Sequence, residues 1–365
     1  MKYYIIAGEA SGDLHAANML RELKALDPEA KFRAWGGDLM QEQGAELVKH
    51  YRDLAFMGFL EVAMNLRTIL KNIALCKEDI AQWKPDAVIL VDYPGFNLRI
   101  APFAHELKIP VFYYISPQIW AWKQKRVFKI KETVDRVFCI LPFEKDFYTK
   151  HNYPADFVGH PLLDSVARFE ESKAVEDDGR KIIAVLPGSR KQELRKILPP
   201  MLEVAKSFPQ YRFVIGGAPG QPLSFYKEIM GNDRMEIVFG KTYALLKQAY
   251  AGLIKSGTST LEAALFNLPQ VVCYKTSAVS YNIAKRVANV KYISLPNLIM
   301  DEPIVTELIQ EDMSVARMTS ELKLITENQN GRDKMLSDYK RLFGKLGGAG
   351  ASKKVATLIL EHLRK

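Results

Sequence analysis

Apolar residues in this chain come in short, nearly unbroken runs, and amphipathic stretches separate them. In the first half, runs at 3–7, 87–91, 111–115 and 137–140 read as strands of about five residues. The series restarts at 181–186 and continues at 211–215, 235–239, 252–255 and 270–274. Helical stretches intervene: one begins near Asp13, one lies around 200–207, and one covers 259–266. Strands apolar on both faces and separated by helices predict a parallel sheet covered on each side, the doubly wound α/β class. Each half opens with a strand and a Gly/Ser turn, which predicts two Rossmann-like domains. The acid-rich stretch 168–180, RFEESKAVEDDGR, reads as a connection. Residues 312–365 predict helices broken at Gly344, Gly347, Gly348 and Gly350. The resulting division is an N-terminal domain 1–167, a C-terminal domain 168–340 and a helical segment 341–365.

The 365 residues are 48% apolar and 25% charged, which fits a globular chain and excludes a disordered or fibrous one. No apolar run approaches the ~18–20 residues that span a bilayer. Glu9 and Asp13 follow the first strand too closely for a secretion signal. Cys76, Cys139 and Cys273 lie far apart with no CxxC, so neither a disulfide framework nor a zinc site is indicated. A reducing cytoplasm is therefore expected. Lys and Arg exceed Asp and Glu by 51 − 42 = 9, which favours anionic partners: nucleic acid, a phosphate-bearing substrate or an acidic membrane surface.

The chemistry-bearing residues collect in turns after strands. Gly8-Glu9-Ala10-Ser11-Gly12-Asp13 is either a plain turn with Asp13 as N-cap or a site for a sugar hydroxyl or phosphate on the neighbouring amides. Asp92, in Asp92-Tyr93-Pro94-Gly95-Phe96-Asn97, stands where ligands bind in open sheets; it is either a general base or a cap of the next helix. The segment Ser116-Pro117-Gln118-Ile119-Trp120-Ala121-Trp122 leads into Lys123, Lys125 and Arg126. It suits an acyl or phosphate site, or else stacked core aromatics. Leu186-Pro187-Gly188-Ser189-Arg190 offers close backbone approach and a forked cation to a phosphate, without the Walker A pattern. Lys255-Ser256-Gly257-Thr258-Ser259-Thr260-Leu261-Glu262 suits a diphosphate, with Glu262 accepting from ribose hydroxyls; the alternative is a capped helix with a surface Glu. Asn297 alone is a weak signal. His15 and His160 are as readily structural as functional.

In order and spacing, AGEASGD, SPQIWAWKQKR, VGHPL, LPGSR, SGTSTLE and LPNLI cover nearly the whole chain. In these motifs it closely resembles the lipid-A-disaccharide synthase family, glycosyltransferase family 19. The resemblance implies a GT-B fold, two Rossmann-like doubly wound domains with a cleft between them. It implies a hexosyltransferase of lipid A and lipopolysaccharide biosynthesis in Gram-negative bacteria. The partners implied are UDP-2,3-diacylglucosamine and 2,3-diacylglucosamine 1-phosphate (lipid X), with the cytoplasmic face of the inner membrane; a homodimer is compatible. No nucleic acid is expected. The family commonly has a second acid where this chain has Gly95, so the base role passes to Asp92 alone. On this reading Gly188, Ser189, Arg190, Ser256, Gly257, Thr258, Glu262 and Asn297 hold the UDP-sugar. Ser11, Gly12, Gln118, Trp120 and Trp122 face the acceptor. No Asp-x-Asp lies near the diphosphate turns, and neither a metal nor a cofactor is expected. A helix at 351–364 is expected to cross back to the first domain.

The stretch 56–73, FMGFLEVAMNLRTILKNI, repeats Phe59, Val62, Leu66, Ile69, Leu70 and Ile73 at helical spacing. That face packs on the core or docks shallowly on the membrane, with Arg67, Lys71 and Lys77 flanking it. Two rivals remain open from the sequence. One is another UDP-sugar enzyme of this fold, such as a UDP-N-acetylglucosamine 2-epimerase. The other is a non-enzymatic basic protein binding nucleic acid or anionic lipid.

Overall fold

The computed structural model describes residues 1–53, 66–170, 172–287 and 290–365. These form two compact units: Met1–Asp164 with Gly347–Lys365, and Ser165–Leu346.

The first unit holds seven strands: β1 (Lys2–Ala7), β2 (Lys31–Gly36), β3 (Glu46–His50), β4 (Ala87–Val91), β5 (Val111–Tyr114), β6 (Arg136–Cys139) and β7 (Ala155–Phe157). They form one parallel sheet in the order β3-β2-β1-β4-β5-β6-β7. Along β1, Tyr4 and Ile6 enter one core, and Tyr3, Ile5 and Ala7 enter the other. Both faces are therefore buried, as the unbroken apolar runs predict. The second unit holds β8 (Ile182–Leu186), β9 (Arg212–Gly217), β10 (Glu236–Phe239), β11 (Ala251–Lys255), β12 (Gln270–Tyr274) and β13 (Thr306–Ile309), all parallel, in the order β10-β9-β8-β11-β12-β13. Each sheet reverses its strand order once, between β1 and β4 and between β8 and β11. Each therefore has the doubly wound Rossmann order, with a switch-point crevice at its carboxyl edge.

β2, β3, β7 and β13 lack an apolar run, and the sequence pattern did not reveal them. β3, β7 and β13 are edge strands with only one neighbour, and β2 carries Arg33, which pairs with Asp79 at 2.7 Å. The predicted helix near 200–207 is longer. It spans Lys191–Lys206 and runs through Pro199 and Pro200. Its buried face, Leu194, Ile197, Leu198, Met201, Leu202 and Val204, keeps helical spacing across the prolines, and that burial offsets their cost of about 3 kcal/mol each.

The last helix, Ala351–Leu363, buries Val355, Ala356, Ile359 and Leu360 in the same core as Ala16, Ala17 and Leu20 of helix Ala10–Leu26. The Asp164 carboxylate accepts from the backbone N–H groups of Gly350 and Ser352, capping this helix.

Of the predicted apolar face at 56–73, Phe59 and Val62 lie outside the described residues. Within helix Leu66–Trp83, Ile73 is buried and Ile69 packs against the core, whereas Leu70 is 53% exposed. The face therefore divides, with Ile69 and Ile73 turned inward and Leu70 outward. No helix among the described residues is long and apolar enough to cross a membrane.

Candidate active site

At the switch point of the first unit, Ala7 of β1 pairs with Val91 of β4, and the two turns that follow lie side by side. The close approach that Gly8 permits is taken by the protein itself: a Cβ there would come within 2.4 Å of the Tyr93 ring. Gly12 is buried, its Cβ position 3.3 Å from Ala7 Cβ, so the helix packs closely on the strand there. Ser11 is exposed. Asp13 is not the N-cap of its own helix, which begins at Ala10 after Glu9. Its buried carboxylate instead accepts from Gly37, Leu39 and Met40 N–H at 2.8–3.2 Å, capping the next helix, Asp38–Glu42.

Asp92 does not cap the helix Pro94–Glu106 either. The N-cap is Tyr93, and Pro94 occupies the first turn. Asp92 and Tyr93 both take left-handed backbone conformations, with φ of +46° and +49°. Such conformations cost about 1–3 kcal/mol each in non-glycine residues and persist only where the surroundings enforce them. The enforcing groups are Asn97, whose Nδ2 donates to Asp92 O at 2.7 Å, and Tyr113, whose hydroxyl donates to the same oxygen at 2.6 Å. Burial raises the Asp92 carboxyl above the ordinary carboxylate range, against a smaller lowering by the Tyr93 N–H. A carboxylate so raised is a stronger base. A Cβ at Gly95 would meet nothing within 4 Å, so the second acid common in the family has room here and is simply not present.

The aromatic segment divides as well. Trp122 is 48% exposed, with Lys123 Nζ 4.3 Å from its ring centre, and Gln118 is exposed. Trp120 packs edge-on against Phe143 at 4.8 Å, and its Nε1 donates to Glu144 Oε1 at 3.2 Å. Glu144, which sequence reasoning missed, is 1% exposed and also accepts from Ile140 and Leu141 N–H at 3.2 and 3.0 Å. Burial pushes its carboxyl up from 4.5 to about 7, against those hydrogen bonds and with a smaller contribution from the charge of Asp92. Only its tertiary environment marks it.

The Glu144 shift has a measurable consequence. Between pH 4.5 and 7 the folded chain keeps a proton on Glu144 that the unfolded chain releases. Stability then falls as pH rises through that window, by roughly 3 kcal/mol at its upper end. In Glu144→Gln, urea unfolding at pH 5 and pH 8 should differ by less than in the parent. An undiminished difference would assign the pH dependence to other groups.

In the second unit, Leu186 of β8 pairs with Ile254 of β11 at the switch point. Gly188 takes φ +112°, a conformation that favours glycine. Ser189 O accepts from Gln221 Nε2 at 3.0 Å. Arg190 is the N-cap of helix Lys191–Lys206, and its side chain is 60% exposed. Opposite, Ser256 is buried and donates to Ile293 O at 2.7 Å; Gly257 precedes helix Thr258–Leu265, and Thr258 is exposed. Glu262 is half-buried and accepts from the Tyr243 hydroxyl at 3.2 Å, so it is not a plain surface acid. Burial raises its carboxyl, with Tyr243 and Ser259 lowering it.

Asn297 is 1% exposed; its Nδ2 donates to Val305 O and Glu307 Oε1, and its Oδ1 accepts from Val305 N–H, all at 2.9 Å. The amide thereby ties helix Leu295–Met300 to β13 and to the residue before it. Glu307 also accepts from Ile293 and Ser294 N–H, and so fixes the loop that receives the Ser256 hydroxyl. His15 and His160 are buried, and burial lowers them to about 4 and about 3, so both are neutral at physiological pH.

This topology recurs in solved structures. A UDP-GlcNAc 2-epimerase from Neisseria meningitidis bound to UDP-GlcNAc is similar at a TM-score of 0.69, with 15% identity, covering 99% of this chain and 100% of that one. The glycosyltransferase SnogD from Streptomyces nogalater is similar at 0.58, with 16% identity and 99% of both chains covered. At such identities the likeness is one of fold, and the class is the GT-B type of α/β protein with two Rossmann-like domains. The sequence goes further: the chain belongs to the lipid-A-disaccharide synthetase family, whose profile matches residues 3–361. A lipid-A-disaccharide synthase of Anaeromyxobacter dehalogenans is 38% identical over 371 residues, 99% of this chain and 97% of that protein. That of Geobacter metallireducens is 36% identical over 372 residues, with the same coverage. The epimerase alternative thus shares the fold, while the family membership makes the chain a glycosyltransferase.

Proposed function

We propose that this enzyme joins UDP-2,3-diacylglucosamine to 2,3-diacylglucosamine 1-phosphate, giving UDP and a β-1,6-linked tetraacyl disaccharide 1-phosphate. The observation that carries the reading is the family match over residues 3–361. In the proposed mechanism, Asp92 takes the proton of the acceptor 6-hydroxyl as its oxygen attacks the anomeric carbon from the face opposite UDP. The C–O bond to UDP breaks and the configuration inverts. UDP leaves with added negative charge on its diphosphate. Arg190, the Gly188 and Ser189 backbone and the N-terminus of helix Thr258–Leu265 at Ser256, Gly257 and Thr258 stabilise that charge. Glu262, held by Tyr243, accepts from the ribose hydroxyls. Ser11, Gln118 and Trp122, all exposed, serve the acceptor side. The test is mass spectrometry of the product together with UDP release. UDP should appear only when both acylated sugars are present; UDP released without disaccharide would mark a hydrolase or an epimerase.

Both substrates carry acyl chains that reside in a bilayer, and the proposal extends to peripheral association with the cytoplasmic face of the inner membrane. Leu70 and Leu75 of helix Leu66–Trp83 are 53% and 42% exposed, beside exposed Arg67 and Lys71. Leu70→Ser with Leu75→Ser should weaken co-sedimentation with anionic phosphatidylglycerol vesicles and leave thermal unfolding nearly unchanged. Intact vesicle binding in this variant would place the membrane contact elsewhere.

A further inference from the structure

Glu193 puts a carboxylate where an anion-binding site would receive a phosphate. It stands in the first turn of helix Lys191–Lys206, shortly after Arg190. Its Oε1 lies 3.0 Å from Lys255 Nζ and 3.7 Å from Arg190 Nη1. The Glu193 and Lys255 side chains are only 17% and 19% exposed, so little water screens their attraction. On its other side, Glu193 Oε2 lies against the Gly188 turn, so that a Cβ at Gly188 would meet it at 2.7 Å. Lys255 ends β11 and Gly188 follows β8. Glu193 therefore bridges the two edges of the switch point, close to a cation from each.

We infer that Glu193 is an internal counter-ion, which neutralises Lys255 and Arg190 before the nucleotide sugar binds and yields them to its diphosphate. This rests on reading the turns at 188–190 and 256–258 as the diphosphate site. Two anions cannot share the same pair of cations at full strength, so each bound diphosphate must displace part of the Glu193 interaction. The consequence is a weaker hold on UDP, which an enzyme that must release UDP at each turnover requires. Lys255 thereby becomes a diphosphate ligand that sequence reasoning did not select.

The experiment is calorimetry of the full-length protein with UDP and, separately, with uridine. Glu193→Gln keeps the size of the side chain and removes its charge. It should tighten UDP binding about tenfold, the scale of a single charge-assisted hydrogen bond, and leave uridine binding unchanged. A residue that merely held the loop in place would give the opposite sign. Lys255→Met should weaken UDP binding, and in the double variant the tightening by Glu193→Gln should shrink, because its beneficiary is gone. Unchanged or weaker UDP binding by Glu193→Gln, with an unaltered thermal melt, overturns the inference alone. If Glu193→Gln does not fold, the decision falls to Lys255→Met: unaltered UDP affinity there overturns the inference as well. Unaltered UDP affinity in Arg190→Ala removes the site reading and the inference with it.

Discussion

Replacing Asp92 by Asn is expected to lower turnover about 10²-fold or more while UDP affinity stays at the parental value. The magnitude is the usual scale for a lost general base. The split between turnover and binding follows from the architecture. Asp92 belongs to the first unit, at the end of β4, whereas the proposed nucleotide contacts belong to the second. The backbone of Asp92 is fixed by Asn97 and Tyr113 through its carbonyl, not its carboxylate, so the Asn variant should keep the left-handed turn. The carboxylate is raised by burial, and an amide of the same shape cannot take the proton. The pH dependence should follow: activity rises with pH through the ionisation of Asp92, at a point above the ordinary carboxylate value. Parental turnover in Asp92→Asn would remove the base assignment, and with Gly95 beside it no other carboxylate in that turn could inherit the role.

Arg190→Ala and Glu262→Ala should each weaken UDP binding by one to two decades, since a charged hydrogen bond lost costs roughly 1.5–3 kcal/mol. The two variants should differ in what they lose. Arg190 is exposed at the N-terminus of a 16-residue helix, where a diphosphate can reach it, so its loss should affect UDP and spare uridine. Glu262 accepts from Tyr243 and stands beyond the first turn of its helix, so its loss should affect UDP and uridine alike through the ribose. Calorimetry with the two ligands separates these outcomes. Equal affinity for UDP in the parent and both variants would move the nucleotide to another part of the chain.

The fold class was legible in the order of residues alone. Strands buried on both faces must be apolar at consecutive positions, and 87–91 and 270–274 therefore coincide with β4 and β12 at both ends. Half-buried strands carry no such signal: β13 reads TELI, and its Glu307 spends its carboxylate on backbone amides. The turns at strand ends were legible too, because Gly and Ser after an apolar run mark the carboxyl edge where ligands bind. What each residue does there emerged only in the folded chain. Asp13 looks like a cap of its own helix in the sequence, yet its carboxylate caps another helix through amides 24 to 27 residues away, and the Asn297 side chain joins a residue eight positions on. Glu144 and Glu193 look like ordinary helix acids, yet burial raises the first and two cations surround the second. The physical reason is one of range. Apolar periodicity and turn chemistry are local, written over a few adjacent residues. The charge and hydrogen-bonding state of a side chain depends on partners from other elements, which meet it only once the sheet of its own unit has formed.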